Sequence, residues 1–221
     1  MAIEGNFKQI SPLLLEVVIQ DLYVLELYLA AKETLEIEEI EYLFTYLEYQ
    51  GFDDILDNIL ANDVWKIGRL DIDIHWHAMH YLLTENSSSW EECNLPFVVT
   101  KEENKNCLLI NGVMGGQPIQ ETIGNMNFAP VKYLTQNETQ EISEALHQIS
   151  KKEFEFRYIE ACKLNLNIYK ALWDEDYEDY WYWFRCIAKY YEIAAEKERA
   201  MLLYLGCFHG IDFEWEDLSI I

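Results

Sequence analysis

The segment from Pro12 to Ala31, near the start of the chain, is apolar on most sides of the helix that it predicts. A helix of that kind must be buried, either in a protein core or in a membrane. Glu16, Asp21 and Glu26 interrupt it, and each acidic side chain would be costly near the centre of a bilayer. The segment therefore predicts a helix from residue 12 to about residue 31 that lies in the middle of a layered fold.

The chain is large enough to cover such a helix. It has 221 residues, of which 51% are hydrophobic and 25% are charged. A chain of this length buries roughly 70% of the surface that it exposes when unfolded. No internal repeat or low-complexity linker divides it, so we expect one domain over residues 1–221, with a short acidic tail from about residue 207.

Local signals predict both helices and strands. Serine at position 11 and proline at position 12 are typical of an N-cap and a first helical residue. Two capping boxes, Thr135 to Glu138 and Ser150 to Glu153, predict two further helix starts. Periodicity adds helices over about residues 35–50 and 174–199, a helix within residues 70–84 that Asp71 or Asp73 can cap, and a short helix that buries Ile55, Leu56, Ile59 and Leu60. Short apolar or β-branched runs predict strands over 5–10, 96–100, 108–113 and 201–205. These elements indicate an α+β fold, mostly helical with a small sheet.

The charge of the chain limits its partners. Acidic residues outnumber lysine and arginine 40 to 16, which gives a formal net charge of −24. Binding to nucleic acid or to anionic membrane needs cations that face phosphates, so we expect neither partner. Residues 1–60 alone hold 13 acids, while their only basic residues are Lys8 and Lys32.

The compartment is predicted from the termini and the cysteines. Residues 1–5 have no basic n-region, so we expect no signal peptide. The five cysteines are far apart and form no CxxC pair, which is typical of reduced thiols in a cytoplasmic protein. No Cys–His pair, nucleotide-binding loop or hydrolase motif is evident, and we expect no cofactor.

Three residues of the predicted 70–84 helix could form a metal or acid–base site. His77 and His80 lie three residues apart and share a helix face, and Asp73 lies one turn before His77. Two histidines and one carboxylate are a common metal-binding set. The alternative is an N-capping aspartate followed by two histidines that border the core, and the sequence leaves both interpretations open.

Acidic helices provide candidate contact residues for a protein partner. In the helix predicted near residue 174, aromatic residues form a wide apolar face, while Tyr182 lies on the polar side. A tyrosine among carboxylates is a reasonable contact for a basic protein. The candidate partner-binding residues are Glu38, Glu41 and Glu48 in one helix, and Asp176, Glu178, Asp179 and Tyr182 in the other.

Three sequence blocks resemble the YfbM-like family of small bacterial proteins, a domain of unknown function. They are Leu70–Thr84, which is similar to an LDLDxxWHxLHxLLTG signature, the segments Gly115–Ile119 and Ala129–Thr135, and the helix and strand that end at Leu205. The resemblance covers about residues 5–16 and 64–206. Ala129 and Lys132 stand where glycine and arginine are usual, and Glu85 stands where the signature has glycine. The resemblance implies a single α+β domain and supplies no activity.

Some relatives in that family look like immunity genes beside bacterial toxins. Together with the charge, this predicts an immunity or antitoxin protein that neutralises a cognate basic toxin domain through an acidic surface. The alternatives are a metal-dependent or acid–base enzyme that uses Asp73, His77 and His80, and a housekeeping protein. The oligomeric state is not predicted.

Overall fold

The fold places a five-stranded sheet between two layers of helices. A computed structural model describes residues 3–30, 37–62, 69–101, 107–119, 129–164, 166–169 and 176–206. The helices are α1 (Pro12–Gln20), α2 (Leu22–Ala30), α3 (Ile37–Tyr49), α4 (Asp53–Asn62), α5 (Trp76–Thr84), α6 (Gln136–Leu146), α7 (Lys151–Cys162) and α8 (Tyr177–Glu196). The strands are β1 (Glu4–Ile10), β2 (Leu70–Asp71), β3 (Val98–Thr100), β4 (Leu108–Ile110), β5 (Gln117–Pro118), β6 (Lys132–Leu134) and β7 (Ala200–Gly206).

The main sheet is antiparallel and has the strand order β2–β1–β7–β6–β5. Its two longest strands, β1 and β7, pair at the centre, with Phe7 opposite Leu203. Strands β3 and β4 form a separate hairpin. The predicted α+β class, mostly helical with a small sheet, is confirmed.

Side chains of β7 alternate between two hydrophobic cores, as the two-residue period of a strand requires. Met201, Leu203 and Leu205 face one core, which α5, α6, α7 and α8 cover. Ala200, Leu202 and Tyr204 face the other core, which α1, α2 and α3 cover and against which Ile55 of α4 packs. The two helical layers therefore lie on opposite sides of the sheet.

The predicted internal helix is two helices, so the prediction of one helix from 12 to about 31 was wrong in its continuity. Asp21 is extended, with φ −124° and ψ 99°, and ends α1. Its Oδ1 accepts hydrogen bonds from the backbone N–H groups of Tyr23 and Val24, so it caps the start of α2. Val18, Leu25 and their neighbours are buried, as the apolar pattern predicts.

The predicted helix starts are confirmed. Ser11 caps α1, and its Oγ accepts from Leu14 N–H. Thr135 and Glu138 form a complete capping box at α6. Ser150 caps α7 through Glu153 N–H, but the Glu153 carboxylate binds Arg157 instead of completing the box.

The strand predictions were correct at β1, β3, β4 and β7 and missed the short strands β2, β5 and β6. Gly116, which precedes β5, has φ 103°, and a Cβ atom there would lie 2.6 Å from the Tyr133 carbonyl oxygen.

No helix in the described part of the chain is both long and apolar enough to span a bilayer. The predicted acidic tail, the predicted start of the last long helix near residue 174 and residues 31–36 lie outside the described residues.

Candidate functional site

Helices α1 to α4 form a layer whose only charged residues are acidic, and we call it the acidic layer. Residues 12–30 and 37–62 contain ten acids and no lysine, arginine or histidine. The exposed carboxylates with described side chains are Glu16, Glu26, Glu41, Glu48, Asp53, Asp54 and Asp57. None of these seven forms an ion pair with another described residue. Their negative charge is therefore directed at solvent.

The predicted contact residues of α3 lie on this layer beside exposed tyrosines. Glu41 and Glu48 are exposed, and they directly precede Tyr42 and Tyr49, which are 67% and 84% exposed. Glu38 lies in the first turn of α3, and its side chain is outside the described residues. The outer face of α3 thus combines carboxylates with large aromatic rings.

Three of the four predicted contact residues of α8 have partners within the fold. Asp176 is the N-cap of α8, and its Oδ1 accepts from Glu178 N–H. The Glu178 carboxylate lies 2.9 Å from Lys151 Nζ. Asp179 is exposed in the first turn, and Tyr182 is 38% exposed with its ring against Trp183. Because α8 and α3 lie on opposite sides of the sheet, one flat interface cannot include both predicted sets.

The structure places Asp73 of the predicted metal site at the surface, and His77 and His80 in the interior. The α-helix begins at Trp76 and not at Asp73. Asp73 instead lies in a 3₁₀ turn, where it is exposed and has φ 51°. His77 and His80 are buried, and His77 Nδ1 accepts from Tyr169 N–H at 2.9 Å. Within the described ranges, no three histidine, cysteine or carboxylate side chains are placed to hold a metal ion.

His80 also lies beside Cys93, a pairing that the sequence analysis missed. The Cys93 Sγ atom is 3.8 Å from His80 Nε2, and the thiol donates to Asn111 Oδ1 at 3.6 Å. Burial lowers the pKa of His80 to about 3, with smaller contributions from His77 and Lys132. An imidazole with that pKa is a weak base, so His80 is a poor proton acceptor near neutral pH.

Lys132 is buried close to this cluster. Its Nζ donates to the carbonyl oxygens of Trp90 and Met114 at 2.6 and 2.8 Å, and lies 5.1 Å from the centroid of the Trp90 ring. Burial lowers the pKa of Lys132. These contacts join the loop after α5 to the turn before β5, which is a structural role.

The four cysteines in the described part are free thiols.

Comparisons with known proteins identify a family and supply no activity. No curated protein matches the chain. The crystal structure of YfbM from Escherichia coli, a protein of unknown function, is similar over 91% of this chain and 99% of that chain, with 12% identity and a TM-score of 0.47. A model of the domain of unknown function DUF1877 matches residues 38–204, a range that includes α3 and α4, which the sequence resemblance did not cover. The chain belongs to the DUF1877 family.

Proposed function

We propose that this protein is a cytoplasmic immunity-type binding protein that neutralises a cognate basic toxin domain through its acidic layer. The observation that carries this proposal is the absence of any basic residue in the described helices of that layer, together with exposed carboxylates that form no ion pair with another described residue. A dense surface of one sign attracts a partner of the opposite sign and rejects partners of the same sign.

The charge exceeds what solubility requires. A net charge of magnitude about 2–8 keeps a small domain in solution. This chain has −24, and mutual repulsion among carboxylates on one side of the molecule destabilises the folded state. A surface that keeps such repulsion is consistent with selection for binding.

The class of toxin follows from charge complementarity. An enzyme that acts on nucleic acid or nucleotides binds phosphates through lysine and arginine side chains. A surface of carboxylates can occupy those same cations and cover the active face. We therefore infer that the partner is a nuclease or another phosphate-binding enzyme. The metal-dependent or acid–base alternative has no favourable geometry among the described residues.

Co-expression tests the proposal directly. The toxin encoded by a neighbouring gene is expressed with and without this protein, and cell survival and complex formation at low salt are measured. We expect rescue and a 1:1 or higher-order complex that weakens as salt is added. Failure to rescue, together with no complex at low salt, contradicts the proposal.

A matched pair of charge variants assigns the binding to the acidic layer. Glu41→Lys combined with Glu48→Lys reverses two charges on α3 and should weaken binding about 10- to 100-fold. Glu144→Lys combined with Glu155→Lys makes the same change in net charge on α6 and α7, where both residues are exposed. We expect the second pair to change affinity by less than about threefold, because more distant charges are screened.

A further inference from the structure

Four tyrosines lie close together along the sequence and fold of α2 and α3 in the acidic layer. Tyr42, Tyr46 and Tyr49 are spaced at i, i+4 and i+7 along α3, so they share one face of the helix. Tyr23 of α2 is 51% exposed, and its ring lies 4.8 Å from that of Tyr46 at an interplanar angle of 71°. We call these four residues the tyrosine ridge.

The base of the ridge is held in place by contacts within the fold. The Tyr46 hydroxyl donates to Asp21 Oδ2 at 3.1 Å, and Asp21 also caps α2. This hydrogen bond and the edge-to-face contact with Tyr23 fix the central ring. A ring that is already held in place loses little conformational entropy when it binds a partner, so the Tyr46 ring favours affinity at the centre of the ridge.

Carboxylates accompany the two most exposed rings at a regular interval. Glu41 precedes Tyr42, and Glu48 precedes Tyr49, so the same carboxylate–ring pair repeats after seven residues. Seven residues of helix span about 10.5 Å. Because consecutive helical residues point about 100° apart, Glu41 and Glu48 form a row beside the row of Tyr42 and Tyr49. The first row offers hydrogen-bond acceptors to cations, and the second offers ring faces on which cations can stack.

The chemistry of this pair favours arginine over lysine. A guanidinium is planar, donates two parallel hydrogen bonds to a carboxylate and stacks on aromatic rings, whereas an ammonium acts as a compact point charge. A helix that packs along α3 can present two arginines seven residues apart, which matches the repeat. A second exposed apolar patch in the described part of the chain, around Phe156 and Ile159 of α7, is flanked by charges of both signs and selects no such occupant.

We propose that the tyrosine ridge is the docking strip for an arginine-bearing helix of the partner protein. This inference rests on the proposed function, because it names the surface and the residue type through which a basic toxin is held. The tyrosines supply the central contacts, as aromatic residues commonly do in interfaces. The carboxylates beside them supply charge complementarity.

Synthetic helical peptides test the ridge without knowledge of the toxin. Two peptides share one host sequence and carry either arginine or lysine at positions seven residues apart, and their affinities for the full-length protein are measured at low salt. We expect the arginine peptide to bind about tenfold more tightly. Equal affinity for the two peptides, or no detectable binding of either, contradicts the proposal.

Ridge variants show whether the rings cause the preference. Tyr42→Ala combined with Tyr49→Ala should abolish the preference for arginine, whereas Tyr42→Phe combined with Tyr49→Phe should keep it, because phenylalanine retains the ring. Phe156→Ala removes a 63% exposed ring from the opposite layer and should have no effect. Unchanged preference in the alanine variant contradicts a role for the ridge, provided that circular dichroism shows a folded protein.

The two proposals can fail separately. If the toxin is neutralised but the peptides show no arginine preference, the ridge is wrong and the proposed function stands. If the peptides show the preference but no toxin is neutralised, the ridge binds arginine-bearing helices and the proposed function is wrong.

Discussion

The two helical layers carry charge in different ways. In the layer of α5 to α8, lysines and arginines pair with nearby acids, as in Lys151–Glu178, Lys163–Glu160 and Lys189–Glu192. In the acidic layer, exposed carboxylates have no basic side chain among the described residues of α1 to α4. Both layers bury an apolar face against the same sheet, so the fold itself does not require the difference. We propose that this difference reflects binding of a cationic partner by the acidic layer.

The largest expected effect on stability is at Arg157, in the layer of α5 to α8, which we call the paired layer. This side chain is 5% exposed, and its guanidinium donates to Leu82 O at 3.2 Å, Leu108 O at 2.6 Å and the Glu153 carboxylate at 2.5 Å. It therefore joins α7 to the end of α5 and to the β3–β4 hairpin. Arg157→Ala leaves buried carbonyl groups without donors and should lower the free energy of unfolding by about 4 kcal/mol.

Urea unfolding measures this loss, and Lys163→Ala is the control. Lys163 pairs with Glu160 at the surface, so its removal should change stability by less than about 0.5 kcal/mol. A similar small change for Arg157→Ala would show that the paired layer does not depend on its buried cation.

The next effect is a pH dependence that arises from His80. Its pKa is about 3 in the folded protein and about 6.5 when unfolded, so the unfolded chain binds the proton more tightly between those values. The contribution of His80 to stability is therefore fully present above pH 6.5 and is lost progressively as the pH is lowered towards 3. From pH 7 to pH 4, His80 should remove about 3 kcal/mol.

Comparison with the His80→Gln variant isolates the part of the pH dependence of stability that arises from His80. The glutamine variant retains the carboxylates that also titrate in this range, so its pH dependence provides the background. Wild type should lose more stability than the variant between pH 7 and pH 4. Parallel curves for the two proteins would exclude His80 as the cause.

A smaller effect distinguishes a structural carboxylate of the acidic layer from its exposed neighbours. Asp21 caps α2 and accepts from Tyr46, so Asp21→Ala should lower the free energy of unfolding by about 1 kcal/mol. Asp21→Asn keeps an oxygen that can cap the helix and should cost less than about 0.5 kcal/mol. Thermal unfolding checks both values, and an equal loss in the two variants would mean that charge, not capping, is what Asp21 contributes.

The smallest effect is expected at the exposed carboxylates themselves. Glu41→Gln combined with Glu48→Gln should change stability by no more than about 0.5 kcal/mol, with a gain at low salt because repulsion is reduced. Denaturant unfolding at two salt concentrations measures the change. A loss above about 1 kcal/mol would show that these carboxylates stabilise the fold, against their assignment to binding.

Local sequence signals were sufficient for the fold class and for most element boundaries. The N-caps at Ser11, Thr135 and Ser150 depend on interactions within one helical turn, and these were predicted correctly. The break at Asp21 was missed because the apolar pattern continues through it. Strands β5 and β6 have two and three residues, so pairing with distant partners defines them and no local pattern reveals them.

The candidate site was only partly predictable. The exposed acids of α3 follow from helical periodicity, and the same periodicity places Tyr42, Tyr46 and Tyr49 on one face, a signal that the sequence analysis did not use. The approach of Cys93 to His80 depends on the path of a loop, and spacing along the chain does not encode that path. Helices α3 and α8 pack against different hydrophobic cores on opposite sides of the sheet. Local sequence patterns do not show which core a helix joins, so this separation required the structure.

The most direct test of the acidic layer is the salt dependence of its association rate with the toxin encoded by a neighbouring gene. Stopped-flow measurements between about 50 and 300 mM salt should show the rate constant of wild type falling about tenfold or more, because screening weakens electrostatic attraction. Glu41→Lys combined with Glu48→Lys should give a slower rate with a flatter dependence. A wild-type rate that does not change with salt would contradict the account.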